Sequence, residues 1–167
     1  ILSIDPSHTA RQVAESRPFF LEGQQYFNTS LDAPLFASQR IRRFDLGFKT
    51  AGKLDKTLDL GIFDAISYGS QNDLAADITR QLSAHSSIQA AATSLRSDGL
   101  NNDGHFFQFR QDLGTFGFFA QHESTNDTLN GYGHRYNTGF FTSNGGLNMD
   151  TEFIEVSPEF TPRLGFV

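Results

Sequence analysis

From Ser38 onward the chain alternates apolar and polar residues with period two, the pattern of half-buried β-strands whose successive side chains point to opposite faces. Phe44, Leu46, Phe48 and Thr50 alternate with Asp45, Gly47 and Lys49, and Leu58, Leu60 and Ile62 alternate with Asp59 and Gly61. A third strand is predicted over about 73–82, with Leu74, Ala76, Ile78 and Leu82 opposite Asp77, Thr79 and Gln81, and a weaker fourth over 86–95. Phe107 and Phe109 against Gln108 and Arg110 mark a fifth, and Phe116, Phe118 and Ala120 against Gly117 and Gln121 a sixth. Tyr136, Thr138 and Phe140 oppose Arg135, Asn137 and Gly139 in a seventh. Leu147, Met149, Thr151 and Phe153 oppose Asn148, Asp150 and Glu152 in an eighth. Turns at 52–56, 83–85, 113–114 and 143–146 are short, whereas 68–72, 96–104 and 124–133 read as longer loops rich in Asn, Asp, Gly and Ser.

The pattern predicts an all-β fold, an antiparallel up-and-down meander of about eight strands. Short turns at one end and longer polar loops at the other are what a meander through a bilayer produces, and the strand lengths suit a tilted crossing. A soluble antiparallel sandwich alternates in the same way. Two features favour a membrane barrel, either a small one or part of a larger one. One face carries Asp45, Lys49, Asp59, Asp77, Gln81, Gln108, Arg110, Asn148, Asp150 and Glu152, as a hydrated lumen would. The other carries Phe44, Leu46, Phe48, Leu58, Leu60, Phe107, Phe109, Phe116, Phe118, Phe140 and Phe153, a surface suited to lipid, without the Trp or Cys anchors of an immunoglobulin core. Residues 1–37 read differently. A helix of about two turns is expected over 7–17, capped by Ser7 or Thr9, with Pro18 stopping it and holding Arg17 extended. The division expected is an irregular, plug-like opening segment over 1–37 and barrel strands over 38–167.

Composition sharpens this picture. The 167 residues contain no apolar run long enough for a transmembrane helix, a test that a β-barrel escapes. Phe supplies 18 residues, with 4 Tyr and no Trp, so the fold must house an excess of phenyl rings. The absence of Cys removes disulfides, thiolate metal sites and Cys nucleophiles. A net charge of −6 argues against a nucleic-acid partner. The basic cluster Arg40, Arg42 and Arg43 reads as a solvated or headgroup-facing edge. The chain opens on Ile1 without a signal-peptide pattern, so a processed or partial sequence is expected.

Candidate chemistry is sparse. His8, His85, His105, His122 and His134 lack metal-ligand spacing, and 98–104 lacks the register of a calcium loop. There is no G-x-S-x-G elbow, and the alternating carboxylates read as lumen charge rather than a glycosidase pair. No catalytic residue, metal or cofactor is expected.

Two end motifs carry a resemblance. Arg17-Pro18-Phe19-Phe20-Leu21-Glu22-Gly23, with Phe27, Leu35-Phe36, Arg40 and Ile41 after it, resembles the opening of a bacterial outer-membrane barrel family of unknown function. Members of that family follow a family-9-type carbohydrate-binding module. The stretch from Glu155 through Ser157-Pro158-Glu159-Phe160-Thr161-Pro162-Arg163-Leu164 to Gly165-Phe166-Val167 is similar to a later segment of the same family, with weaker likeness at 60–65 and 77–81 between them. The resemblance implies a barrel related in shape to TonB-dependent receptors, in the bacterial outer membrane, of which this chain is the N-terminal portion. It implies as partners the lipid bilayer and lipopolysaccharide, other envelope proteins and a small polar solute of carbohydrate-derived chemistry. It carries over no catalytic residue. The alternative is a non-transporting surface subunit of a larger envelope or extracellular assembly.

Overall fold

A computed structural model of the chain describes residues 16–27, 34–41, 43–144 and 147–165. Eight antiparallel strands form one sheet in sequence order: β1 (Leu46–Lys53), β2 (Leu58–Ser67), β3 (Gln71–Ser83), β4 (Ser86–Ser97), β5 (Leu100–Asp112), β6 (Phe116–Asp127), β7 (Gly131–Asn144) and β8 (Leu147–Val156). The up-and-down meander is therefore the fold. The sheet is open, with β1 and β8 as its edges, and among the described residues no helix is long and apolar enough to cross a membrane.

The expected longer loops are strands joined by tight turns, which corrects the contrast between the two ends of the sheet. Residues 100–104 continue β5 and 124–127 complete β6, leaving only Asp98-Gly99 and 128–130 as connections. Gly99 has φ 74°, the left-handed conformation a two-residue hairpin needs and Gly adopts freely. These stretches look like loops because Asn101, Asn102, Asp103, Ser124, Thr125 and Asn126 are polar, yet a strand tolerates polar residues wherever another segment satisfies them.

That other segment is supplied by the two ends of the chain. Pro18 opens a single α-turn, Pro18–Leu21, because proline suits the first helical position. Arg17 is extended as expected, with ψ 122°. The helix predicted over 7–17 falls almost wholly outside the described residues. Ser38–Arg40 is a 3-10 turn, so strand structure begins at Leu46 and not at residue 38.

Phe19, Phe20 and Phe36 gather round Phe63, with ring centroids 5.8, 5.4 and 5.6 Å away. Phe63 is 1% exposed and anchors a core that includes Phe27, Ile41, Ala65, Ala75, Leu95 and Leu164. The closing residues 160–165 lie beside the opening segment: Ala37 N–H donates to the Leu164 carbonyl at 2.6 Å and Arg40 Nε to that of Gly165 at 2.9 Å. Gly133 makes room for them, since a Cβ there would collide with the backbone of Glu159 and Phe160. One face of the sheet is thus covered by both chain ends, and the other is open.

Because Phe63 joins the opening segment to the sheet, Phe63→Ala should destabilise the fold by about 3–5 kcal/mol, the cost of removing a buried phenyl ring. Denaturant unfolding measures it, and a loss below about 1 kcal/mol would show that the cluster does not hold the segment in place.

Candidate functional site

Strand parity decides which side chains share the covered face. Through β2 to β7 it carries the odd-numbered residues of β2, β3 and β4, and the even-numbered residues of β5, before returning to odd numbers in β6 and β7. Here Gln89, Gln108, Gln121 and Asn137 stand directly across from one another on β4, β5, β6 and β7, an amide row spanning half the sheet. Gln108 Nε2 donates to Gln121 Oε1 at 3.2 Å, and Gln121 Nε2 in turn to Glu123 Oε1. Carboxylates border the row: Gln89 donates to Asp77 at 2.7 Å and Asn137 to Glu152 at 2.7 Å.

The next row holds a buried ion pair. Arg135 Nη1 lies 3.0 Å from Glu123 Oε1, with the two side chains 5% and 0% exposed. Glu123 Oε2 and Asn137 Oδ1 are buried with no hydrogen-bond partner. Burying charge and amide together is costly unless each group is bonded, so this region is a polar interior of high specificity rather than a conventional core.

A second polar cluster fixes the closing segment. Arg163 grips Asp127 through two contacts, 2.5 and 3.0 Å. Asn102 Nδ2 donates to Asp127 at 3.0 Å and to the Thr161 carbonyl at 2.8 Å, while the Thr161 N–H donates to Thr125 Oγ1 at 2.9 Å. Asn102, Thr125 and Asp127 belong to stretches that read as loops in the sequence, and this cluster is what their polarity serves.

The polar residues picked out by sequence fall mainly on the covered side. Lys49 donates to the Phe19 and Glu22 carbonyls, tying β1 to the opening segment. Asp59 pairs with Lys53 at 2.9 Å, Asp77 is buried, and Arg110 lies 4.9 Å from the Phe141 ring centre. Gln81, Asn148, Asp150 and Glu152 share this face but are exposed. Asp45 is the exception: it precedes β1, and its carboxylate accepts the Tyr68 N–H at 2.8 Å, capping a turn.

On the opposite face lie Leu46, Phe48, Leu58, Leu60, Phe107, Phe109, Phe116, Phe118, Phe140 and Phe153, with Phe48 at 60% and Phe153 at 62% exposure. Phe44 is a correction. It precedes β1, so parity does not bind it, and its ring folds over Gly47 to meet Phe19 at 5.4 Å and Phe20 at 6.0 Å on the covered face. Glu123, Asp127, Asn102 and Arg163 were missed by the sequence reading. No local signal marked them, since 101–104 and 121–127 are polar or glycine on both faces.

Among the described residues no group of three or more His, Asp or Glu is placed to hold a metal. His122 and His134 flank Tyr136 on the open face at 4.7 and 5.1 Å between ring centres, an aromatic stack. Chemically, the amide row and its carboxylates offer paired donors and acceptors of the kind that bind hydroxyl groups. Comparison with known proteins returns no match to a family model, to a curated protein or to a solved structure.

Arg135→Met should destabilise by about 3–5 kcal/mol, because it strands the Glu123 carboxylate in a buried site. Adding Glu123→Gln should recover most of that loss. A double variant as unstable as Arg135→Met alone would mean that the ion pair is not the source of the cost, and a denaturant double-mutant cycle decides it.

Proposed function

We propose that this chain forms wall strands of a bacterial outer-membrane β-barrel, its open face in lipid and its covered face turned to the interior, in a protein that takes up a polar solute. One observation carries the reading: the polarity is inverted relative to a soluble sheet. Large phenyl and aliphatic side chains stand exposed on one face while Glu123, Arg135, Asp77, Gln121 and Asn137 are buried on the other. A soluble domain rarely exposes so large a contiguous apolar surface, whereas a membrane barrel alternates apolar outward and polar inward along every strand.

The amide row suits a hydroxyl-rich solute, which accords with the carbohydrate-derived class that the family resemblance implies. The opening segment, packed through Phe19, Phe20 and Phe36 against the interior face, acts as a plug. The same packing favours a second reading, a filled barrel that binds or scaffolds on the cell surface without conducting. No catalytic role is proposed.

Cell fractionation should place the full-length protein in the outer-membrane pellet, released only by detergent. A chain that stays soluble and monomeric without detergent would overturn the proposal. In liposomes, neutral oligosaccharide flux should rise on loosening the plug with Phe20→Ala, and a barrel that conducts neither before nor after would favour the scaffold reading.

A further inference from the structure

The apolar residues on the open face do not end on a line straight across the strands. Toward the end of the sheet that carries the 98–99 and 128–130 turns, each strand passes from apolar to polar at a different height. Ile66 on β2 pairs across with Asn72 on β3, Leu74 with Ser94 on β4, Ala92 with His105 on β5, and Phe107 with His122 on β6. From β2 to β6 the last apolar residue of each strand therefore stands opposite the first polar residue of the next, and the boundary falls there by one side-chain row per strand.

Across the whole sheet the boundary starts at Leu46, the partner of Ile66, and ends at Phe153. The register row of Phe153 runs back through Ala120 and Ile88 to Leu58. Leu46 is level with Ile66, Phe140 on β7 lies one row below Ala120, and Phe153 on β8 is level with Ala120, so the net fall from Ile66 to Leu58 is eight residues, averaged here over the seven spacings between eight strands. At ~3.4 Å per residue and ~4.8 Å per strand, the boundary is inclined by about 40° to the perpendicular of the strands.

We infer that this diagonal marks the plane where the open face leaves the hydrocarbon of a bilayer, with the strands crossing at about 40° to the membrane normal. The inference rests on the outer-membrane reading and specifies it. A lipid slab has a flat edge, so tilted strands must each turn polar at a height that shifts steadily from one to the next. Membrane barrels tilt their strands by about 35–45°, and the slope found here falls in that range. The side chains at and beyond the line fit a headgroup zone: His105, then the stacked His122 and Tyr136, rings with an apolar body and a polar tip. Two charged residues lie inside the line. Asp64 accepts a hydrogen bond from Asn72 at 3.0 Å, and Arg80 stands near Asp55 of the β1–β2 turn, where a long stem can carry its charge out of the apolar zone.

The chain has no cysteine, so single-cysteine variants can report depth directly. Leu60, Ile78, Ala90, Phe107, His122 and Tyr136 form one register row, at right angles to the strands. Each is replaced by Cys in the full-length protein, labelled with an environment-sensitive fluorophore and reconstituted in phosphatidylcholine vesicles. Quenching by acyl-chain nitroxides should be strongest at 60, weaken through 78 and 90, be marginal at 107 and be lost at 122 and 136, where aqueous iodide takes over. Equal depth at all six positions, or a reversed gradient, would overturn the tilt while leaving the membrane reading intact. Iodide access without lipid quenching at every position would overturn the membrane reading itself.

Discussion

In an antiparallel meander the face of every side chain follows from the face of one, and Phe63 sets it here. Its ring is buried beneath Phe19, Phe20 and Phe36, so the odd-numbered residues of β2 face the opening segment. The register then propagates that choice from strand to strand, because a slip of one residue would turn a whole strand over. Such a slip in β6 would bring Phe118 and Ala120 beneath the chain ends and expose Glu123, Thr125 and Asp127, leaving Arg135 and Arg163 without their carboxylates.

Polar groups hold the covered side as firmly as the rings do. Arg163, Thr161 and Asn102 fasten the closing segment to β5 and β6 with charge-assisted and amide hydrogen bonds that hydrophobic contacts could not position as narrowly. The opening segment is fastened in kind, with Arg17 donating to the carbonyls of Ser38 and Ile41. The opening residues 17–27 and 34–41 and the closing residues 157–165 therefore meet on one face of the sheet. Their separation in sequence gives no hint of that meeting, since it depends on contacts across the full length of the meander.

Strand existence and facing were legible because period two is a local signal that each of the eight strands repeats. Leu46, Phe48, Phe107, Phe116, Phe140 and Phe153 could be placed from parity alone. Phe44 could not, because it lies outside the strand where backbone direction, and not alternation, aims the ring. The ends of β5 and β6 were illegible for a different reason. Asn102, Thr125 and Asp127 are polar on the covered face as well as the open one, so alternation of character vanishes there while alternation of direction persists. The Glu123–Arg135 pair was hidden similarly: each residue reads as an ordinary polar position, and only the β6–β7 register brings them together.

The open face poses the remaining physical problem. Burying a large apolar side chain is worth about 1.5–3 kcal/mol, and this face leaves Phe48, Phe107, Phe140 and Phe153 half-exposed or more, side by side with Leu46, Ile78 and Met149. Water is a poor neighbour for such a surface, and the covered face cannot take it in, since its space is filled by the chain ends and by a hydrogen-bonded polar network. On the proposed reading, what meets the open face is apolar over a broad area and ends along an oblique line, with His122 and Tyr136 beyond it. A twisted sheet of tilted strands in a slab of lipid satisfies both conditions with one geometry, which is why the position of the boundary says more about this protein than the amount of apolar surface does.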